Sequence, residues 1–256
     1  MGFMVNSDLL KWQVNKNEDQ FNPFDQQNEF FKLATGVNEN VYTQLEVVSQ
    51  GHTDYSQFPV NKLSYGNYSY NCTDTTTTPH LKWNYTAPYS GYVYVYADID
   101  GKDDVSFMIN DDSTNTQTLG MGRPYIACGG YVNEGDKISV YAELPQGQAG
   151  SAHVYVNMLD QNVYEQGYAQ ISKDVMTTTE CTGSSMKGTI NAIEDGLFYT
   201  SVPYEEGGWT AYVDGREAEI TPVGNALIAF NLNKGEHSIE PVSYTHLRAH
   251  ETRRHL

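Results

Sequence analysis

Apolar and polar residues alternate with a period of two over most of this chain. In LKWNYTAPYSGYVYVYADIDG (81–101), Pro88 and Gly91 separate two such runs, and the second sets Tyr92, Tyr94 and Tyr96 against Val93 and Val95. Successive side chains of a strand point to opposite faces, so each run predicts a half-buried strand. VSFMIN, YVNEGDKISVYAEL and HVYVNML repeat the pattern, with Asn133–Asp136 as a turn and Ile138 and Val140 on one face. Many short strands joined by turns, from 41 to 158, predict a β-sandwich or jelly roll.

Two stretches change period. NPFDQQNEFFKLATG (22–36) predicts a helix of about three turns: Asn22 can cap it, Pro23 fits the first turn, and Gly36 suits the end. Phe24, Phe31 and Leu33 would supply its buried side. LDQNVYEQGYAQISKDVM (159–176) places Leu159, Val163, Ile171 and Val175 on one helical face, with Tyr164 and Tyr168 beside them. Gly167 weakens that helix by up to ~1 kcal/mol, so packing on a neighbour must hold it. A second β module follows, in which MKGTINAI, GLFYTSVPY, WTAYVDG, REAEITPV, ALIAFNL and EHSIE are separated by Gly-containing turns. VDGRE is the strongest hairpin signal, because Asp-Gly accepts the positive φ of a type I′ turn.

The expected fold is therefore mainly β: two sandwich or jelly-roll-like modules joined by a short amphipathic helix, plus a short N-terminal helix. The expected divisions are 1–40 for an N-terminal segment, 41–158 for the first module, 159–180 for the linking helix and 181–242 for a smaller C-terminal module.

Charge narrows the partners. The 256 residues carry 15 Lys plus Arg against 32 Asp plus Glu, a net −17, which opposes binding to nucleic acid or an anionic membrane face. An apolar fraction of 39% excludes a disordered chain. No apolar run reaches the ~18 residues needed to span a bilayer, and MGFMVNSDLLKWQVN lacks a signal peptide's basic start and continuous apolar core. The chain therefore reads as soluble. Cys72, Cys128 and Cys181 lie far apart without zinc-site spacing; they read as small half-buried thiols, or as one disulfide with a thiol left over.

Candidate chemistry is sparse. Glu205 and Glu206 are adjacent, so in a strand they point to opposite faces and cannot flank one glycosidic bond as a catalytic pair. No catalytic residue is assigned. Trp209 could stack on a sugar or fill the core of the small module. Tyr92, Tyr94 and Tyr96 share a face that is either a flat carbohydrate platform, if exposed, or core, if it packs against the partner sheet. In DIDGKDD, Asp98, Asp100, Asp103 and Asp104 could supply several calcium ligands, or simply form a polar hairpin tip. The histidines share no metal-ligand spacing, and nothing points to a cofactor.

The C-terminal run SYTHLRAHETRRHL (243–256) breaks the composition, setting three Arg and three His against Glu251. It resembles translated adapter read-through and is set aside from fold reasoning. The remainder carries a resemblance. GLFYTSVPYEEGGWTAYVDGREAEI…NALIAFNLNKGEHSIE resembles the C-terminal extracytoplasmic region of the YfhO family, large polytopic bacterial membrane proteins; GFMVN, NPFDQQNEFFKLATG and APYSGYVYVYAD look like earlier parts of it. The resemblance runs to about residue 242 and marks the chain as a fragment, with membrane helices expected before and after it.

What the resemblance implies is a parent glycosyltransferase of the lipid-linked-sugar, GT-C-like type. Such a parent moves sugar from a polyprenyl phosphate onto cell-wall polymers such as teichoic acid at the outer face of the membrane. Its expected catalytic acid lies in a loop by the early membrane helices and maps to no position here, so this piece is expected to be non-catalytic. Its partners would be the parent's membrane helices and a cell-wall glycopolymer or partner membrane protein. The alternative is a free-standing carbohydrate-binding sandwich, an adhesin or glycosidase accessory domain.

Overall fold

The computed structural model describes residues 2–14, 21–53, 60–73, 78–102, 104–120, 124–182 and 185–243. Asp103 and nearly all of the 243–256 tail lie outside them. In chain order the elements begin with β1 (Gly2–Val5), a 3-10 turn (Ser7–Lys11) and α1 (Pro23–Thr35). Next come β2 (Tyr42–Gln44), β3 (Ser49–Thr53), β4 (Val60–Ser64), β5 (Asn67–Asn71), β6 (His80–Thr86) and β7 (Gly91–Ile99). They are followed by β8 (Asp104–Ile109), β9 (Gln117–Gly120), β10 (Ala127–Val132), β11 (Lys137–Glu143) and β12 (Ala149–Leu159). After α2 (Gln161–Ile171) the chain continues through β13 (Thr177–Cys181), β14 (Met186–Ala192), β15 (Gly196–Pro203) and β16 (Trp209–Val213). It closes with β17 (Arg216–Ala218), β18 (Leu227–Leu232) and β19 (Gly235–Ser243). The fold is mainly β, as the alternation predicts.

Two compact units divide the chain: Asn22–Asp25 with Val41–Gln161, and Met1–Phe21 with Gln26–Asn40 and Asn162–Leu256. The first is a sandwich. One sheet runs β10-β7-β12-β5-β4 with β2 on β12, and the other β3-β6-β11-β8-β9. Val93, Val95, Ala97 and Ile99 of β7 and Val154, Val156 and Met158 of β12 meet Leu81, Trp83, Ile138, Val140 and Phe107 in one core. The tyrosines of β7 therefore take the opposite face. The smaller aliphatic set enters the interior, and Tyr92, Tyr94 and Tyr96 look outward; the reading that packs them on the partner sheet is corrected here. The turn at Asn133–Asp136 forms as expected, with the Asp136 N–H donating to the Asn133 carbonyl at 3.0 Å.

In the second unit, a three-stranded sheet β1-β15-β18 and a five-stranded sheet β13-β14-β19-β16-β17 share a core. Phe198 and Phe230 come from the first sheet, and Ile190, Ala211 and Ile239 from the second. The opposite face of the three-stranded sheet, with Leu197, Tyr199 and Ala229, packs with Phe30, Leu33 and Ala34 of α1 and Ile171 of α2. Read apart in the sequence, the N-terminal segment and the C-terminal module join through β1, which pairs with β15 from Gly2↔Thr200 to Val5↔Leu197.

The helix signals place α1 well. Asn22 Oδ1 accepts from the Phe24 N–H at 3.0 Å, and Pro23 is the first helical residue. α2 is shorter than its apolar pattern suggests, because Leu159 still belongs to β12 and the helix ends at Ile171. Gly167 has a steric reason: a Cβ there would lie 2.2 Å from the Phe31 ring, so the bare backbone admits α1's side chain.

The VDGRE hairpin forms with φ of 52° at Asp214 and 74° at Gly215. Asp214 does more than turn. Its Oδ1 accepts the Ser238 N–H at 2.8 Å, and Oδ2 accepts His237 Nδ1–H at 2.8 Å, while His237 Nε2–H donates to the Asn233 carbonyl at 2.9 Å. Because both ring nitrogens face acceptors, the imidazolium is the matched form. Its pKa is raised, first by the Asp214 carboxylate, and that of Asp214 is lowered, first by the Ser238 N–H and then by His237.

Two outcomes follow for stability. Ile99→Ala, inside the sandwich at 2% exposure, should cost roughly 2–5 kcal/mol, whereas Tyr92→Ala on the other face of the same strand should cost about 1 kcal/mol or less; denaturant melts compare them. The His237 contribution is complete below the ordinary histidine pKa and fades as pH rises through its raised value. The Asp214 contribution is complete above the ordinary carboxylate pKa and fades as pH falls through its lowered value. The melting-temperature advantage of the natural chain over Asp214→Asn should therefore be largest between about pH 4 and pH 6.5 and shrink on either side.

Candidate functional site

The outward face of the six-stranded sheet gathers aromatic and polar side chains, because alternation on β7, β12, β5 and β10 sends them all the same way. Cross-strand pairing sets Tyr131 beside Tyr92, Cys128 beside Tyr94, Tyr155 beside Tyr96 and His153 beside Asp98. Exposure falls along β7, from 45% at Tyr92 through a half-buried Tyr94 to 9% at Tyr96. The covering is aromatic. Phe24 packs edge-on to Tyr42 at 5.2 Å, and Tyr42 edge-on to Tyr94 at 5.2 Å, so rings from the strands flanking β12 meet across it. Burial pushes the Tyr96 hydroxyl up to about 12, with Asp98 adding to the shift.

At the covered end, Asn67 is a hub. Its amide nitrogen donates to Ser64 Oγ at 2.7 Å and to the Tyr65 carbonyl at 3.3 Å, which orients Oδ1 as the acceptor. That oxygen receives the Tyr155 hydroxyl at 2.8 Å and His153 Nδ1–H at 2.6 Å. In its neutral form His153 therefore presents Nε2 as a lone pair. Asp98 opposite is half-buried, and burial raises its carboxyl pKa while His153 opposes the rise. Nearer the exposed end, Asn157 is 2% exposed and its Oδ1 is a buried acceptor without a hydrogen-bond donor.

The exposed end is an array of tyrosines. Tyr92 and Tyr131 meet edge-to-face at 5.4 Å with 45% and 58% exposure, and Tyr89, just before β7, is 37% exposed. Amphipathic rings of this kind stack on apolar faces while their hydroxyls stay wet. Of these residues, only Tyr92, Tyr94, Tyr96 and Asp98 stand out in the sequence. His153, Tyr155 and Asn157 are legible only as the alternate positions of HVYVNML, and Tyr131 only through its pairing.

The other sequence candidates lie elsewhere. Trp209 belongs to the second unit, where it is half-buried against the cluster around Phe230 and Ile239. Glu205 and Glu206 are exposed in a turn closed by the Gly208 N–H donating to the Glu205 carbonyl at 2.9 Å. In the aspartate loop, Asp100 Oδ2 accepts the Ser151 N–H of β12 at 2.7 Å and Asp104 pairs with Lys102 at 3.3 Å within the loop; Asp103 lies outside the described residues. Among the described residues no three or more His, Cys, Asp or Glu are grouped to hold a metal. The second unit has an open cleft of about 450 Å³ beside Asn6, Lys173, Asp174 and Glu194. Asp174 there is 9% exposed and accepts the Ile193 N–H at 3.3 Å, leaving its other oxygen buried and unpaired. Cys72 is buried, and Cys128 and Cys181 are exposed thiols.

Among solved structures the chain is similar to the native structure of a family 35 carbohydrate binding module from Clostridium thermocellum. That match has 11% identity, covers 45% of this chain and 96% of that one, and has a TM-score of 0.29. It is also similar to a cupin 2 conserved barrel domain protein from Leptotrichia buccalis, at 12% identity over 77% of this chain and 90% of that one, with a TM-score of 0.17. Likenesses this slight carry no argument about ligands. Among curated proteins there is no match. The family described as bacterial membrane protein YfhO matches residues 1–245, nearly the whole length, and the chain belongs to that family.

Proposed function

We propose that this chain is a non-catalytic, extracytoplasmic region of a YfhO membrane protein whose parent transfers sugar from a lipid-linked donor to a cell-wall polymer such as teichoic acid. The observation that carries the reading is the family match over residues 1–245. It falls on a stretch built of β-sheets, in which no described helix is long and apolar enough to cross a membrane. The acids most suggestive of catalysis support a structural role: Glu205 and Glu206 are wet turn residues, and Asp214 anchors β19. In the parent, this region shapes the outer surface where acceptor polymer or a partner membrane protein arrives. The exposed tyrosines of the sandwich favour a second reading, a free-standing carbohydrate-binding module; a reading frame with membrane helices on both sides distinguishes the first from it.

The two exposed thiols test the topology. In intact cells producing the full-length membrane protein, a membrane-impermeant maleimide should label Cys128 and Cys181 without permeabilisation, and a Cys128→Ser/Cys181→Ser variant should lose that signal. Labelling that appears only after the cells are opened would place the region on the cytoplasmic side and end the proposal.

A further inference from the structure

We propose that the exposed end of the outward sheet face, built on Tyr92 and Tyr131 with Tyr89 and Tyr94 beside them, is a binding surface for an uncharged glycan. The inference goes beyond the reading above, because its ligand is neutral where the acceptor named there carries phosphate, and it rests on that reading only in taking the region as non-catalytic.

Three observations carry it. The first is charge. Strands β2, β5, β7, β10 and β12 contain no lysine or arginine, and Asp98, at the covered end, is their only acid. In a chain of net −17 these five strands are nearly free of charge. A phosphate-bearing polymer or an anionic lipid surface finds no cation on these strands and meets repulsion from the whole, so the electrostatic match is a neutral ligand.

The second is the character of the exposed groups. Tyr92 and Tyr131 present ring surface at 45% and 58% exposure, on adjacent strands that hold their spacing. Each ring offers an apolar face to the C–H side of a pyranose and a hydroxyl to its O–H groups. The third is the supply of acceptors on the same face toward its covered end: the His153 Nε2 lone pair and the Asp98 carboxylate, both half-buried. A ligand rich in O–H donors complements that supply; one rich in acceptors does not.

Cys128 lies opposite Tyr94 on this face, whereas Cys181 is on β13 of the second unit, which gives the test an internal control. The full chain is run through native gels containing soluble neutral polysaccharides (a β-glucan, a mannan and a galactan), and maleimide modification of both thiols is timed with and without the retarding polymer. The expected result is retardation by at least one polymer, with Cys128 protected and Cys181 unaffected. Tyr92→Ala and Tyr131→Ala should each weaken retardation roughly tenfold, and Tyr92→Phe should retain it, with melting temperatures near that of the natural chain. The proposal is overturned if no neutral polymer retards the chain, if retardation survives both alanine substitutions, or if tetramethylammonium or phospholipid vesicles protect Cys128 and the glycans do not. Failure here with external labelling of Cys128 and Cys181 in cells removes the glycan surface and leaves the topology standing; the opposite pair of results does the reverse.

Discussion

Burial of the aliphatic side of β7 and β12 against the five-stranded sheet is the constraint on which the sandwich depends. β12 pairs with β7 along seven residues and also carries β5 and β2, so its register sets theirs. Val93, Val95, Val154 and Val156 must all enter the interior, and their alternation leaves no choice about where the residues between them go. A one-residue slip would put four tyrosines and a histidine into the space that Trp83, Phe107 and Ile138 already fill. The aromatic outer face is thus a by-product of core packing before it is anything else.

That face is then graded by what lies over it. Phe24, Tyr42 and Tyr155 cover Tyr96, and Asn67 ties Tyr155 and His153 into one hydrogen-bonded cluster. Tyr92 and Tyr131 stay in water at the other end. One residue type therefore serves in two settings: rings at one end close a small secondary core, and rings at the other end, where the glycan surface is proposed, stay exposed.

The acids follow a different rule. With 32 of them against 15 basic residues, most have no opposite charge to meet, and the fold places several where backbone N–H groups can be accepted. Asp214 takes the Ser238 N–H, Asp100 the Ser151 N–H and Asp136 the Asn133 N–H. Asp111 instead meets two cations, gripped by Lys82 and by Lys137 at 2.6 Å, and these lysines hold its pKa down to about 2. Carboxylates that accept backbone N–H groups in this way hold turns and neighbouring strands in place.

The sequence alone determined the β character, the two helices with the Asn22 cap, the VDGRE hairpin and the family resemblance. All but the last are set by neighbours within a few residues, through alternation, capping and the φ preferences of Asp-Gly. It also named Tyr92, Tyr94 and Tyr96 as one face. Only the tertiary structure decided which way that face looks, because both faces of β7 are apolar enough to be buried and only the volume between the sheets selects valine over tyrosine. It alone joined β1 to β15 across nearly two hundred residues, explained Gly167 by the approach of Phe31, and brought His153, Asn67 and Asp98 together. Contacts between distant segments leave no local periodicity to read; they exist only once the chain has closed on itself.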